Sequence, residues 1–213
     1  MPRWEQGSEE RLKQAAMELF EEQGFEATTA VEISKRARVT TRTFFRYFSD
    51  KEEILFVDAE LLYASLIEEM LRATDIAEPL LTVIQTLARF DWESLGPRET
   101  QRRRDAMITS NPGLLERDLI KQQQMADGFR DALRRRGVDP DTAELAARVG
   151  AQVFRTAYRQ WLQAGDGADL QSITESVLSL LAGIVPGTGG RPRADSIPAE
   201  RTAPDRGRSS GIG

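Results

Sequence analysis

Apolar residues recur at helical spacing along almost the whole chain. Within 8–23, Leu12, Ala15, Ala16, Leu19 and Phe20 fall at i, i+3, i+4, i+7 and i+8 and make one face of a helix. Ser8 is placed to cap it, Glu9 and Glu10 suit its positive end, and Gly24 stands where a helix stops. Thr29-Ala-Val-Glu32 is a capping-box pattern, opening a short second helix with Ala30, Ile33 and Ala37 on one side. Thr40 or Thr41 caps a third short helix that carries Phe44, Phe45, Tyr47 and Phe48. Asp50-Lys-Glu-Glu53 offers a cap for a long helix over 52–72, with Ile54, Val57, Leu61, Leu62, Leu66 and Met70 turned inward.

Further helices are predicted over about 77–93, 98–109, 112–136, 141–164 and 169–184. Pro79, Pro97, Pro112 and Pro140 stand at or near their starts, where a missing N–H costs little, and Gly96, Gly137, Gly165 and Gly167 mark breaks. No segment alternates with period two between turn signals, so the expected fold is all-α with no sheet. Residues 1–51 form a compact helical head and 52–185 a larger helical domain. The Pro- and Gly-rich tail 186–213 gives a core nothing to use and is expected to be disordered.

Composition narrows the chemistry. The chain has 213 residues with neither cysteine nor histidine, so disulfides, thiolate sites and the commonest general base and metal ligand are excluded. A carboxylate-rich bundle holding two metals needs Glu-x-x-His pairs, which this chain cannot supply. Glu68, Glu69, Glu116 and Asp118 are expected on solvated faces. No window approaches 18 apolar residues and no apolar signal core opens the chain. The expectation is a cytoplasmic binding protein that is not an enzyme, has no cofactor, metal or catalytic residue, and does not engage a membrane.

The net charge of −5 conceals a local reversal. Lys35, Arg36, Arg38, Arg42, Arg46 and Lys51 stand against only Glu32 and Asp50 in residues 27–51, while the segments before and after are acidic. A basic patch in an acidic protein is either a solvated face or a local footprint for DNA. Its setting is helix, four-residue turn (Arg38 to Thr41), helix, the arrangement that delivers a second helix to the major groove. At 3.6 residues per turn Thr41, Arg42, Phe45 and Arg46 share one face, while Phe44 and Phe48 point toward the core. Arg42 is placed to reach guanine, and Thr40, Arg46, Tyr47 and Lys51 suit phosphate oxygens. The alternative is that these are solvated positions around an aromatic plug.

Three stretches carry a resemblance: Leu19-Phe20-Glu-Glu-Gln-Gly24-Phe25, Thr28-Thr29-Ala-Val-Glu-Ile33, and Ala37-Arg-Val39-Thr-Thr-Arg-Thr43-Phe44-Phe45-Arg46-Tyr47-Phe48-Ser-Asp-Lys51-Glu. Together they resemble the TetR family of transcriptional regulators. The resemblance implies a homodimer with helix-turn-helix heads on double-stranded DNA and a helical domain that holds a small-molecule effector and the dimer interface. It places DNA contacts on Thr29, Thr40, Thr41, Arg42, Phe45, Tyr47 and Lys51. The family usually has Gly where this chain has Arg38, and a left-handed non-glycine residue costs on the order of 1–2 kcal/mol. A second, scattered similarity (Arg102 to Ile108, Asn111 to Glu116, Ala157 to Leu162) looks like the branch that includes the mycofactocin-system regulator, which implies a long-chain acyl-CoA type of effector.

In the larger domain, Phe90, Trp92, Met107, Met125, Phe129, Phe154 and Tyr158 either line an apolar pocket or are plain core. The run Arg102-Arg103-Arg104 either meets an anionic ligand or is an exposed helix start. Helix 141–164 carries a small-residue stripe, Ala146, Gly150, Val153 and Ala157, and 169–184 carries Val177, Leu180 and Leu181 at heptad-like spacing. These either form a four-helix dimer interface or pack inside the chain. The expected function is a ligand-responsive repressor. A helical protein–protein adaptor reusing the head, and a transcriptional activator, are the alternatives.

Overall fold

The computed structural model describes residues 3–57, 59–73 and 76–185, and the tail 186–213 lies outside them. Nine α-helices and no strand occur among the described residues. They are α1 (Arg3–Gln23), α2 (Ala30–Arg36), α3 (Thr41–Tyr47), α4 (Ala59–Arg72), α5 (Pro79–Ala88), α6 (Arg98–Ser110), α7 (Pro112–Arg135), α8 (Pro140–Gln163) and α9 (Leu170–Ile184). Short 3-10 turns occupy Glu53–Leu55 and Trp92–Leu95.

The head is built by local rules. Leu12, Ala15, Ala16, Leu19 and Phe20 of α1 are all buried, as their spacing requires. Helix α1 begins at Arg3, so Ser8 is not its cap. It lies buried inside the helix and accepts a hydrogen bond from Arg11. Thr29 and Glu32 make the expected capping box on α2, and the Thr40 side chain accepts from the N–H of Thr43 to open α3. The rings of Phe44 and Phe48, 5.5 Å apart, fill the centre of the head with Ile33. Lys51 fastens the turn between α1 and α2. Its ammonium donates to the carbonyls of Phe25 (2.8 Å), Thr28 (3.1 Å) and Glu26 (3.3 Å) and lies 4.3 Å from the centre of the Phe25 ring.

Beyond the head, the single helix expected over 52–72 is broken. Ile54, Leu55 and Phe56 are all buried, and three consecutive residues sweep too wide an arc for one helix face. The chain instead takes a 3-10 turn there, and α4 restarts at Ala59 with its phase changed. Leu66 and Met70 point inward as expected, but Leu61 is 79% exposed.

In the larger domain α5, α7 and α9 pack around α8, with α6 also against it, and α4 lies on α7 and α5. Phe129, Leu133, Leu87, Val83, Ala147 and Leu162 are among its most buried side chains. Helices α5 and α8 approach closely because residue 150 is glycine: a Cβ there would stand 2.7 Å from Val83 Cγ1 and 2.9 Å from its Cβ. The small-residue stripe therefore faces inward. Ala146, Gly150, Val153 and Ala157 are buried within the same chain and cannot serve a partner, and Val177 is buried as well. Leu181 is half-buried, and of the predicted interface Leu180 stays exposed, at 64%.

Head and domain share side chains at their junction. Ile108 of α6 and Leu114 of α7 are buried in the head's own core. Arg117 of α7 pairs with Asp50 at 3.0 Å and also with Glu53. Burial alone would push the Asp50 carboxyl up, but the Arg117 guanidinium and the N–H of Glu53 together hold it below the usual range.

The three carbonyl contacts of Lys51 make it a structural clasp. Hydrogen bonds to a charged donor are worth roughly 1.5–3 kcal/mol. Lys51→Ala is expected to lower Tm by roughly 3–12 °C, at about 2–4 °C per kcal/mol for a chain of this size. A thermal melt that leaves Tm within one degree of the parent protein would refute the clasp.

Candidate nucleic-acid interface and ligand cavity

Helix α3 is anchored through one edge only. Phe44 is fully buried, whereas Arg42, Phe45 and Arg46 are exposed and Thr41 is half-exposed. Phe45 is 57% exposed, an unusual amount for an aromatic side chain flanked by arginines. Arg46 donates to the Tyr47 hydroxyl at 3.1 Å and its guanidinium lies 4.9 Å from the centre of that ring. Among the described residues, Lys35, Arg38, Arg42 and Arg46 have no carboxylate partner, so their charge is available on one side of the head. Arg36 is the exception, tied back to Glu22 (2.6 Å) and Glu18 (3.3 Å) on α1.

The eight residues predicted to meet DNA thus divide by what already holds them. Thr41, Arg42 and Phe45 present surface with no hydrogen bond from their side chains among the described residues, and Arg46 is exposed while bonded to Tyr47. Thr29 and Thr40 sit at the mouths of α2 and α3 with their hydroxyls engaged as caps, Thr29 Oγ1 donating to Glu32 at 2.8 Å. Tyr47 is held against Arg46. Lys51 has its ammonium on the carbonyl clasp of the turn between α1 and α2.

Arg38 occupies the turn with φ of +55°. Its N–H donates to the carbonyl of Lys35 (3.2 Å), and the N–H of Val39 donates to that of Ser34 (3.0 Å). This is the Schellman closure of α2, in which glycine normally takes the left-handed position. The turn is therefore kept, at a cost on the order of 1–2 kcal/mol, rather than reshaped.

A cavity of about 510 Å³ opens between the head and the larger domain, a size typical of small-molecule sites. Its aromatic wall is Trp92, Phe154 and Tyr158, with the Trp92 ring centre 5.1 Å and 5.0 Å from the other two. Met125, Leu62 and Tyr63 continue the apolar surface, and Lys13, Met17 and Leu55 bring the head itself to the lining. Of the predicted pocket residues, Met125, Phe154 and Tyr158 line it. Phe129 is core at the centre of the domain, Phe90 packs behind Trp92 with ring centres 5.2 Å apart, and Met107 packs against the head's core.

The polar side of the cavity was not apparent from spacing. Asp118, expected on a solvated face, lines the cavity and pairs with Arg155 at 3.0 Å. Burial raises the Asp118 carboxyl in spite of the pull of Arg155. The Tyr158 hydroxyl donates to Gln101, whose amide donates at 2.7 Å each to the carbonyls of Trp92 and Gly96. Burial pushes the Tyr158 phenol up to about 12, so it keeps its proton and its role as donor. Arg104 reaches across to the carbonyl of Leu55. These pairs join the turn at Leu55, α6, α7 and α8 across intervals of 37 to 57 residues, which no local sequence pattern reports. Among the described residues no group of His, Cys, Asp or Glu could hold a metal ion, and no helix is long and apolar enough to cross a membrane.

Residues 12–57 match the family described as bacterial regulatory proteins, tetR family. The chain is 27% identical over 196 residues, 83% of its own length and 82% of the other's, to the HTH-type transcriptional regulator TcmR of Streptomyces glaucescens. Its structure is similar to that of Thermus thermophilus FadR, a TetR-family transcriptional repressor solved with lauroyl-CoA. That likeness has a TM-score of 0.52 and 26% identity and covers 94% of this chain and 100% of that one. It is also similar in fold to a SmeT–triclosan complex, with a TM-score of 0.53, 22% identity, and 87% and 98% of the two chains covered. With the helix-turn-helix, the exposed basic face of α3 and an all-helical second domain in place, residues 12–57 form a head of the tetR-family type and the chain along most of its length is similar to TetR-family transcriptional regulators.

Proposed function

We propose that this regulator is a dimeric repressor that binds a pseudo-palindromic operator in the cytoplasm and leaves it when an effector fills the cavity between head and domain. The observation that carries the reading is the placement of that cavity: it is lined at once by α1 and Leu55 of the head and by α7 and α8 of the larger domain. A ligand there contacts both bodies, so it has a direct means of favouring one relative placement over another. Moving the population from 1:99 to 99:1 requires a roughly 10⁴-fold preference of ligand for the released state.

On DNA, Arg42 is assigned to a base edge and Thr41 and Phe45 to the groove beside it. Thr29, Thr40, Arg46 and Tyr47 border the phosphates, and Lys51 acts indirectly by holding the turn. The effector is a small hydrophobic or acyl-CoA-like molecule, a reading supported by the aromatic wall and by the lauroyl-CoA bound to the Thermus relative. No catalysis is assigned.

Two copies are read as joining through the apolar surface that α8 and α9 leave uncovered. Leu145 near the start of α8, and Leu180, Ile184 (76% exposed) and Val185 at the end of α9, are the large exposed apolar side chains of that part of the chain. The consecutive helices run side by side across a six-residue connection, which brings these two ends together. This replaces the buried stripe of Ala146, Gly150, Val153 and Ala157 as the dimer face.

Binding to duplexes from the DNA flanking the gene, against scrambled competitor and with or without lauroyl-CoA, tests the function. Competitor-resistant binding that weakens with lauroyl-CoA is expected. If no duplex, including those from a random-sequence selection, outcompetes its scramble, the regulator reading fails. Arg42→Ala should weaken specific binding by roughly 1–3 kcal/mol and relax one base position. Undiminished discrimination by that variant would remove Arg42 from the readout. Leu180→Glu with Ile184→Glu should yield monomers in sedimentation experiments; a double variant that sediments as the parent does would move the interface elsewhere.

A further inference from the structure

The run Arg102-Arg103-Arg104 divides its charges between two environments. Arg102 and Arg103 turn outward to Glu99, and Arg103 also reaches Glu21 at 3.3 Å. Arg104 turns inward to the cavity wall. There its Nε donates to the carbonyl of Leu55, and its guanidinium lies 5.7 Å from the centre of the Phe56 ring. The other cations of the wall have carboxylate partners: Arg155 has Asp118, Arg148 has Glu144, and Lys13 has Glu9 and Glu10. Among the described residues Arg104 forms no ion pair. Its two Nη nitrogens make no hydrogen bond within the chain and are not sealed from solvent. The Tyr63 hydroxyl on the same wall makes no hydrogen bond either, and burial pushes that phenol up to about 12, leaving it a donor at neutral pH.

We propose that the cavity takes an acidic amphiphile, whose apolar body lies against Trp92, Phe154 and Tyr158 and whose anionic group is received by the Nη nitrogens of Arg104 with the Tyr63 hydroxyl as a second donor. The proposal rests on the reading of this cavity as the effector site. Asp118 on the same wall acts on Arg104 only at a distance and is itself paired with Arg155, so the Nη nitrogens lack a direct anionic partner, and an anion supplied by the ligand completes the pair with charge-assisted hydrogen bonds. A neutral ligand of the same shape would leave the Arg104 Nη nitrogens without a direct partner and further desolvated. The same guanidinium holds Leu55, whose side chain belongs to the head's core. Ligand charge is thus read by the side chain that anchors the head.

Fluorescence titration of the full chain with 8-anilino-1-naphthalenesulfonate and with N-phenyl-1-naphthylamine, which has the same rings without the sulfonate, tests this. Arg104→Met is expected to weaken the sulfonate about tenfold and to leave the neutral probe within about twofold. Arg104→Lys should retain most of the sulfonate affinity, and retained binding of the neutral probe shows that each variant is folded. Ala151→Phe, which fills the cavity, should abolish both. If Ala151→Phe weakens both probes but Arg104→Met does not separate them, the anion site is overturned and the effector cavity stands. If Ala151→Phe changes neither, the probes bind elsewhere and the effector-site reading falls, taking the anion site with it.

Discussion

Three successive residues, Ile54, Leu55 and Phe56, must all be kept from water, and the architecture follows from where they can go. A single helix would expose at least one of them. The 3-10 turn and the residue after it bury all three in the core they share with α1, α2 and α3, to which Ile108 of α6 and Leu114 of α7 also belong. The head is consequently not a separable bead on a rigid rod. Its core is finished by the domain that carries the cavity, and the backbone of the turn, through the Leu55 carbonyl, is within reach of the cavity's arginine.

That arrangement changes how a signal reaches the DNA-facing surface. A continuous helix over 52–72 would be a lever, transmitting rotation along its length. The broken helix is a joint, held by Arg117 to Asp50 and Glu53 on one side and by Arg104 on the other. Both attachments bear on a short turn beside the head rather than on a long element that would have to move as a whole.

The sequence made the head legible almost residue by residue, because its structure is dictated locally. The capping box at Thr29, the cap at Thr40 and the aromatic pair Phe44 and Phe48 each depend on neighbours within four positions. The helix boundaries of the larger domain were also readable from Pro140, Pro112 and the glycines between helices. What periodicity could not resolve was which of two apolar faces of α8 turned inward. The small-residue stripe around Gly150 looked suited to a partner helix; the Val83 contact shows that α5 of the same chain takes that place. Asp118 was misplaced for a related reason: its counter-ion, Arg155, lies 37 residues away on another helix, and only the register between α7 and α8 brings them together.

The late contribution of Ile108 and Leu114 to the head's core has a consequence for the order of assembly. Chains emerge from the ribosome N-terminus first, and domains generally fold as they are completed. Here the first 57 residues can form α1 to α3 from local signals, yet the floor beneath Ile54 and Phe56 is supplied by residues about 50 positions further on. Until α7 has been synthesised, the nascent head is a partly open core with apolar surface exposed to solvent. Completion of the DNA-binding head is therefore a late event in the life of each polypeptide, reached only once the first walls of the cavity, from α6 and α7, are already present.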